Sequence, residues 1–210
     1  MKIALINASP KKKASTSDTL LCDLDIYIPS KHETKEFFID KPFLTGEEIE
    51  ELKTYSAWVF AHPLHVDAIP SHLLTCLCQL ERELAADRND IYVYAIVNGG
   101  FFEGKQSHHA LAIMENWCKR AGLKWGMGIG YGGGSSLVYM KGIPPGRGPK
   151  KSMGEAYTML KKAILSQDSG ENIYTSIGFP RVIYKIMGEV IWRQKIIANG
   201  GRIRDINRKV

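Results

Sequence analysis

Three segments of the chain gather residue types suited to a phosphorylated, flat ligand. The first is Ser9-Pro10-Lys11-Lys12-Lys13-Ala14-Ser15-Thr16-Ser17. Closely spaced hydroxyls and backbone N–H groups at a helix N-terminus make a nest for a dianionic phosphate, and the helix dipole assists. An ordinary capped helix start uses the same residues. The second segment, Pro63-Leu64-His65-Val66-Asp67-Ala68-Ile69-Pro70, has apolar residues between two prolines and suits packing against a hydrophobic ring. The third, Asn98-Gly99-Gly100-Phe101-Phe102-Glu103-Gly104, has glycines that let the backbone approach a planar ligand. Phe101 and Phe102 either wall such a ring or pack as core or lid. No Gly-x-x-x-x-Gly-Lys-[Ser/Thr] phosphate loop occurs there, and no Gly-x-Gly-x-x-Gly follows the first strand. Gly128-Ile129-Gly130-Tyr131-Gly132-Gly133 comes too late for that fingerprint and reads as a tight backbone turn.

The elements that must position these segments alternate between strand and helix. Residues 2–7, 35–40, 56–62, 91–97 and 123–129 are apolar or β-branched runs read as strands. Ser15-Thr16-Ser17 caps a helix, Pro70 opens another that runs to about Ala85, and a third spans residues 107–121 with Gly122 as its stop. Residues 141–150 are rich in Gly and Pro and read as a loop, and Met153, Tyr157, Leu160 and Ile164 trace one face of a further helix. The expectation is an α/β fold: a three-layer α/β/α sandwich on a five-stranded parallel sheet. All three segments then follow strands at the carboxyl end of the sheet, where open α/β sheets bind ligands.

As a set, Ser9-Pro10 with Ser15-Thr16-Ser17, the Pro63–Pro70 segment and Asn98-Gly99-Gly100-Phe101 resemble the flavodoxin-like NAD(P)H-dependent FMN reductase family. The resemblance covers about residues 1–165 and is specific as a set rather than piece by piece. It implies a flavodoxin-like domain over 1–168 that binds FMN non-covalently. Hydride would pass from NADH or NADPH to the flavin and on to a small acceptor such as a quinone or a flavin. It also implies that Ser9, Ser15, Thr16 and Ser17 hold the FMN phosphate, and that Pro63, Leu64, His65 and Val66 lie along the ring and ribityl chain. Asn98, Gly99, Gly100 and Phe101 would contact the pyrimidine edge. His65 departs from the Tyr or Trp common at that position in the family, and it is the candidate catalytic proton donor, a solvent-facing loop histidine being the other reading. A homodimer is expected by the same analogy. The alternatives are a flavodoxin-type electron carrier and a flavodoxin-like module that docks on a membrane or protein partner.

Cys22, Cys76, Cys78 and Cys118 lack metal-site spacing and read as buried free thiols, and His108-His109 reads as a hydrated surface pair, so no metal is expected. The Met1-Lys2 start leads into too short an apolar run for a signal-peptide core, and a cytoplasmic protein is the default expectation. Net charge is +6, and from Ser169 onward eight Lys/Arg stand against three Asp/Glu. The near-neutral body argues against nucleic acid as its main ligand and leaves the basic tail open. Residues 169–210 read as a basic, amphipathic helical extension, with Val182, Ile183, Ile186, Val190, Ile191 and Ile197 on one face. Packing of that face on the domain or a dimer mate is favoured over peripheral contact with a membrane.

Overall fold

The computed structural model describes residues 1–11, 15–85, 90–140 and 142–204; Lys12, Lys13 and Ala14 of the first segment lie outside them. The chain divides into two compact units, Met1–Ile177 and a second that begins at Gly178. In the first unit, β1 (Lys2–Asn7), β2 (Glu33–Phe38), β3 (Ala57–Pro63), β4 (Tyr92–Asn98), β5 (Lys124–Gly132) and β6 (Ile173–Ser176) form one sheet in the order β2-β1-β3-β4-β5-β6. Every neighbouring pair is parallel. The sheet thus has six strands where five were expected. The extra one, β6, comes from a segment assigned to the extension, and it pairs Ile129 with Ile173 through Gly132 with Ser176.

Strand alternation gives the sheet two apolar faces. Ala4, Ile6, Trp58, Phe60, Val93, Ala95 and Val97 form one core with apolar side chains of α2 (Gly46–Lys53), α3 (Ser71–Leu84) and α4 (His108–Ala121). The indoles of Trp58 and Trp117 donate to Leu52 O and Leu77 O, so these buried N–H groups are satisfied. On the opposite face lie α1 (Thr16–Asp25) and α5 (Lys151–Ser166). The Tyr157 hydroxyl on α5 donates to Leu20 O on α1 at 2.8 Å and joins the two helices.

Helix ends follow local chemistry. Ser15 Oγ accepts from Asp18 N at 3.0 Å and starts α1. Gly122, at φ +69°, ends α4 in the left-handed conformation glycine favours. Helix α2 was not expected, although Thr45 and Glu48 form a reciprocal capping box at its start. The glycine run from Gly128 to Gly132 is strand, not the turn its composition suggested, and only Gly133 turns, at φ +77°. A Cβ on Gly132 would lie 2.0 Å from Phe102 O, and one on Gly130 2.6 Å from Gly104 O. Those strand glycines let the backbone of the third segment press directly on β5.

Candidate functional site

The strand order reverses between β1 and β3: β2 lies on one side of β1, and β3 leads outward to β4 on the other. Segments leaving the carboxyl ends of two such strands diverge to opposite faces and leave a crevice between them. Backbone hydrogen bonds hold the segments to the strand ends: Ala8 N to Ala61 O, Leu64 N to Asn98 O and Gly99 N to Tyr131 O.

In the first segment, Ser9, Ser15 and Ser17 are buried. The hydroxyls of Ser9, Ser15 and Ser17 accept from Lys11 N, Asp18 N and Asn98 Nδ2 respectively. A serine that accepts in this way keeps its own proton for a further acceptor. Thr16 differs, because its hydroxyl donates to Gly134 O at 3.3 Å.

Asn98 sits at the centre of the arrangement. Its amide nitrogen donates to Ser17 Oγ at 3.2 Å and to His62 O at 3.0 Å, which ties the first segment, the end of β3 and the end of β4 together. Removing a buried donor strands both acceptors. Asn98→Ala should therefore lower the unfolding free energy by about 2 kcal/mol, measured by urea denaturation. Ser17→Ala should cost less and couple non-additively with it. Additive losses would show that the tie is not a unit.

The second segment closes as a tight turn in which His65 and Ala68 exchange backbone hydrogen bonds, each 3.0 Å long. Val66 and Asp67 occupy its tip at φ +49° and +59°. A β-branched residue rarely adopts that conformation, and strain of this kind concentrates at functional loops. Val66 is 99% exposed there.

A cleft of about 470 Å³ opens between the second and third segments. Leu64, Val66 and Asp67 form one wall, Gly100 and Phe101 another, and Gln106, His108 and His109 close it from the start of α4. Gly100 has open space where a side chain would stand, and Phe101 is 60% exposed. The structure thus brings Leu64, Val66, Gly100 and Phe101 to one cleft, while His65 is exposed on the turn and is not among the lining residues. Sequence reasoning missed Gln106, His108 and His109 as lining residues. The usable signal was proximity, since a single 3-10 turn, Gly104–Ser107, is all that separates the third segment from α4.

Cys76 and Cys118 are buried as expected, whereas Cys22 and Cys78 are exposed, and all four are free thiols. Their helices turn those two positions to solvent. Among the described residues no group of His, Cys, Asp and Glu is placed to hold a metal, and no helix is long and apolar enough to cross a membrane.

No protein-family model and no curated protein sequence matches this chain. Solved structures do. The NAD(P)H:quinone oxidoreductase of Methanothermobacter marburgensis is similar at TM-score 0.54 and 15% identity, over 81% of this chain and 97% of its own. An FMN-bound flavodoxin of Fusobacterium nucleatum is similar at TM-score 0.53 and 14% identity, over 78% and 98%. An NADPH-quinone reductase from P. pentosaceus gives TM-score 0.52 and 11% identity, over 78% and 96%. The fold is flavodoxin-like. In the flavodoxin-like frame the crevice beside β1 and β3 and the cleft beside it occupy the end of the sheet where this architecture binds ligands.

Proposed function

We propose that this protein binds FMN non-covalently and works as an NAD(P)H-dependent oxidoreductase that passes electrons to a small acceptor. The observation that carries the reading is the cleft. The second and third segments nominated by sequence line it, and the first starts α1 beside the switch point. The fit holds at the level of single groups. Among the described residues the Ser9, Ser15 and Ser17 hydroxyls accept hydrogen bonds and so keep protons to offer a phosphate, and the first N–H groups of α1 have no partner within the helix. Thr16, whose proton already goes to Gly134 O, is the least suited of the four nominated hydroxyls. Leu64 and Phe101 provide apolar surface for a flat ring, and the absence of a side chain at Gly100 lets one approach closely. When bound, FMN supplies a two-electron acceptor that a nicotinamide reduces and a second substrate reoxidises.

The proposal draws support from the solved structures named above, two of which are quinone reductases and one an FMN-bound flavodoxin. Titrating the purified protein with FMN should quench the flavin fluorescence with saturation at one flavin per chain. Anaerobic NADH or NADPH should then bleach the visible flavin band. Failure to quench sinks the cofactor assignment. Quenching without bleaching by either nicotinamide makes the protein a carrier rather than a reductase.

A further inference from the structure

The second unit carries a surface that the proposed chemistry does not use. Its helix α6 (Arg181–Ala198) has no buried residue. Val182, Ile183, Ile186, Val190 and Ile197 fall within about 100° of arc on a regular helix. They are between 46% and 69% exposed. Arg181, Lys185 and Lys195 lie on the opposite side, which makes the helix amphipathic and basic. Arg193 falls within the apolar arc, 3.3 Å from Glu189, and a long stem lets its guanidinium reach out of an apolar layer.

Charge is divided sharply between the two units. From Gly178 onward the sequence has eight Lys/Arg and two Asp/Glu, which accounts for the whole net charge of +6. Of the 28 basic and 22 acidic residues in the chain, residues 1–177 hold twenty of each. The first unit is therefore neutral by sequence, and the second is strongly cationic with an exposed apolar stripe on its helix.

We propose that α6 is a peripheral membrane-docking helix that lies in the plane of an anionic phospholipid surface. Such a surface takes both features at once: headgroup phosphates attract the basic side, and the acyl boundary accepts the β-branched face. A second copy of the chain matches less well, because two α6 helices meeting, each with four Lys/Arg and one Asp/Glu, would set like charge against like charge. A nucleic acid would use the charge and leave Val182, Ile183, Ile186, Val190 and Ile197 in water.

The test is flotation of the full chain with vesicles of phosphatidylcholine alone and of phosphatidylcholine mixed with phosphatidylglycerol. Binding is expected only to the mixed vesicles and should weaken as salt rises. Lys185→Glu/Lys195→Glu and Ile186→Ser/Val190→Ser should each lower the partition coefficient on the order of tenfold or more, with the thermal unfolding of the body unchanged. Absence of binding, equal binding to both vesicles, or variants that float like the parent would each overturn the proposal. So would a dimer in light scattering that Ile186→Ser/Val190→Ser dissociates while no vesicle binds, since the face would then be an interface between copies. Flotation needs no flavin, so the result stands apart from that of the flavin titration.

Discussion

Lys150→Ala should lower the unfolding free energy by about 3–5 kcal/mol, the largest loss expected from any single substitution discussed for this protein. Lys150 is fully buried, a rare place for a lysine, and its Nζ lies 2.7 Å from Asp23 Oδ2. Asp23 is on α1, while Lys150 ends the loop that follows β5 and stands at the start of α5. The loop is wound onto that residue: Gly146 N donates to Lys150 O, and Lys150 N to Arg147 O. The pair therefore clamps a Gly- and Pro-rich connection to the helix whose first turn is proposed to hold phosphate. Burial holds the Asp23 carboxyl above its ordinary value, with the hydrogen bond and charge of Lys150 pulling it back. Without the ammonium, a carboxylate is left in low dielectric with nothing to offset its desolvation. Replacing both partners with apolar residues of similar volume, as in Asp23→Leu/Lys150→Met, should recover most of the loss, because neither charge then needs compensation. Urea denaturation of the single and double variants measures both quantities. A cost below about 1 kcal/mol for Lys150→Ala, the range of exposed ion pairs, would mean that the pair is solvated in solution.

This ion pair was invisible in the sequence, and the reason is physical. Lysine is ordinarily exposed, and only the fold brings residues 23 and 150 together. What was legible rested on local rules. The apolar run of β1, the serine cap on α1 and the glycine that ends α4 are decided by neighbours within a few residues, and the structure has them where they were expected. Strand β6 was not legible. It is a four-residue edge strand, Ile-Tyr-Thr-Ser, only partly buried and set in a polar stretch. Helix α2 went unread despite the capping-box pair Thr45 and Glu48, because only Ile49 and Leu52 are buried in its eight residues, too few for periodicity to show. The glycines of β5 were misjudged because sequence does not separate a glycine needed for positive φ from one needed for close approach. Gly133 is the first kind, and Gly130 and Gly132 are the second. For the site, the chain segments were legible and the roles of their side chains were not. Asn98, nominated for a ligand edge, spends its amide nitrogen on Ser17 and His62. Which atoms are already engaged depends on neighbours distant in sequence.

His62 should make this protein lose stability on mild acidification, in a window its replacement removes. It is the next-to-last residue of β3, fully buried, and its Nδ1 lies 3.1 Å from Pro63 O. That contact places the ring proton on Nδ1, which leaves Nε2 bare, and Nε2 has no partner among the described residues. Burial lowers the imidazole from its ordinary 6.5 to about 4; the Pro63 bond opposes the shift, and the charges of His65 and His72 add to it. The folded chain therefore refuses a proton that the unfolded chain accepts. With a lowered histidine, the stability contributed by the neutral ring is whole above pH 6.5 and is lost as pH falls from 6.5 to about 4. Below that both states are protonated and the loss levels off. At 1.36 kcal/mol per unit, the full loss is about 3 kcal/mol. His62→Leu removes the titrating group, so parent and variant should diverge through this window and run parallel on either side of it. Urea denaturation at a series of pH values tests the divergence, and equal losses between pH 6.5 and 4 would place the sensitivity elsewhere. The consequence reaches the site, because His62 O accepts from Asn98 and the next residues begin the wall of the cleft. An imidazolium forced into that position would loosen the end of β3 before the rest of the sheet. Weaker flavin binding should then appear at a higher pH than global unfolding, and His62→Leu should bring the two together.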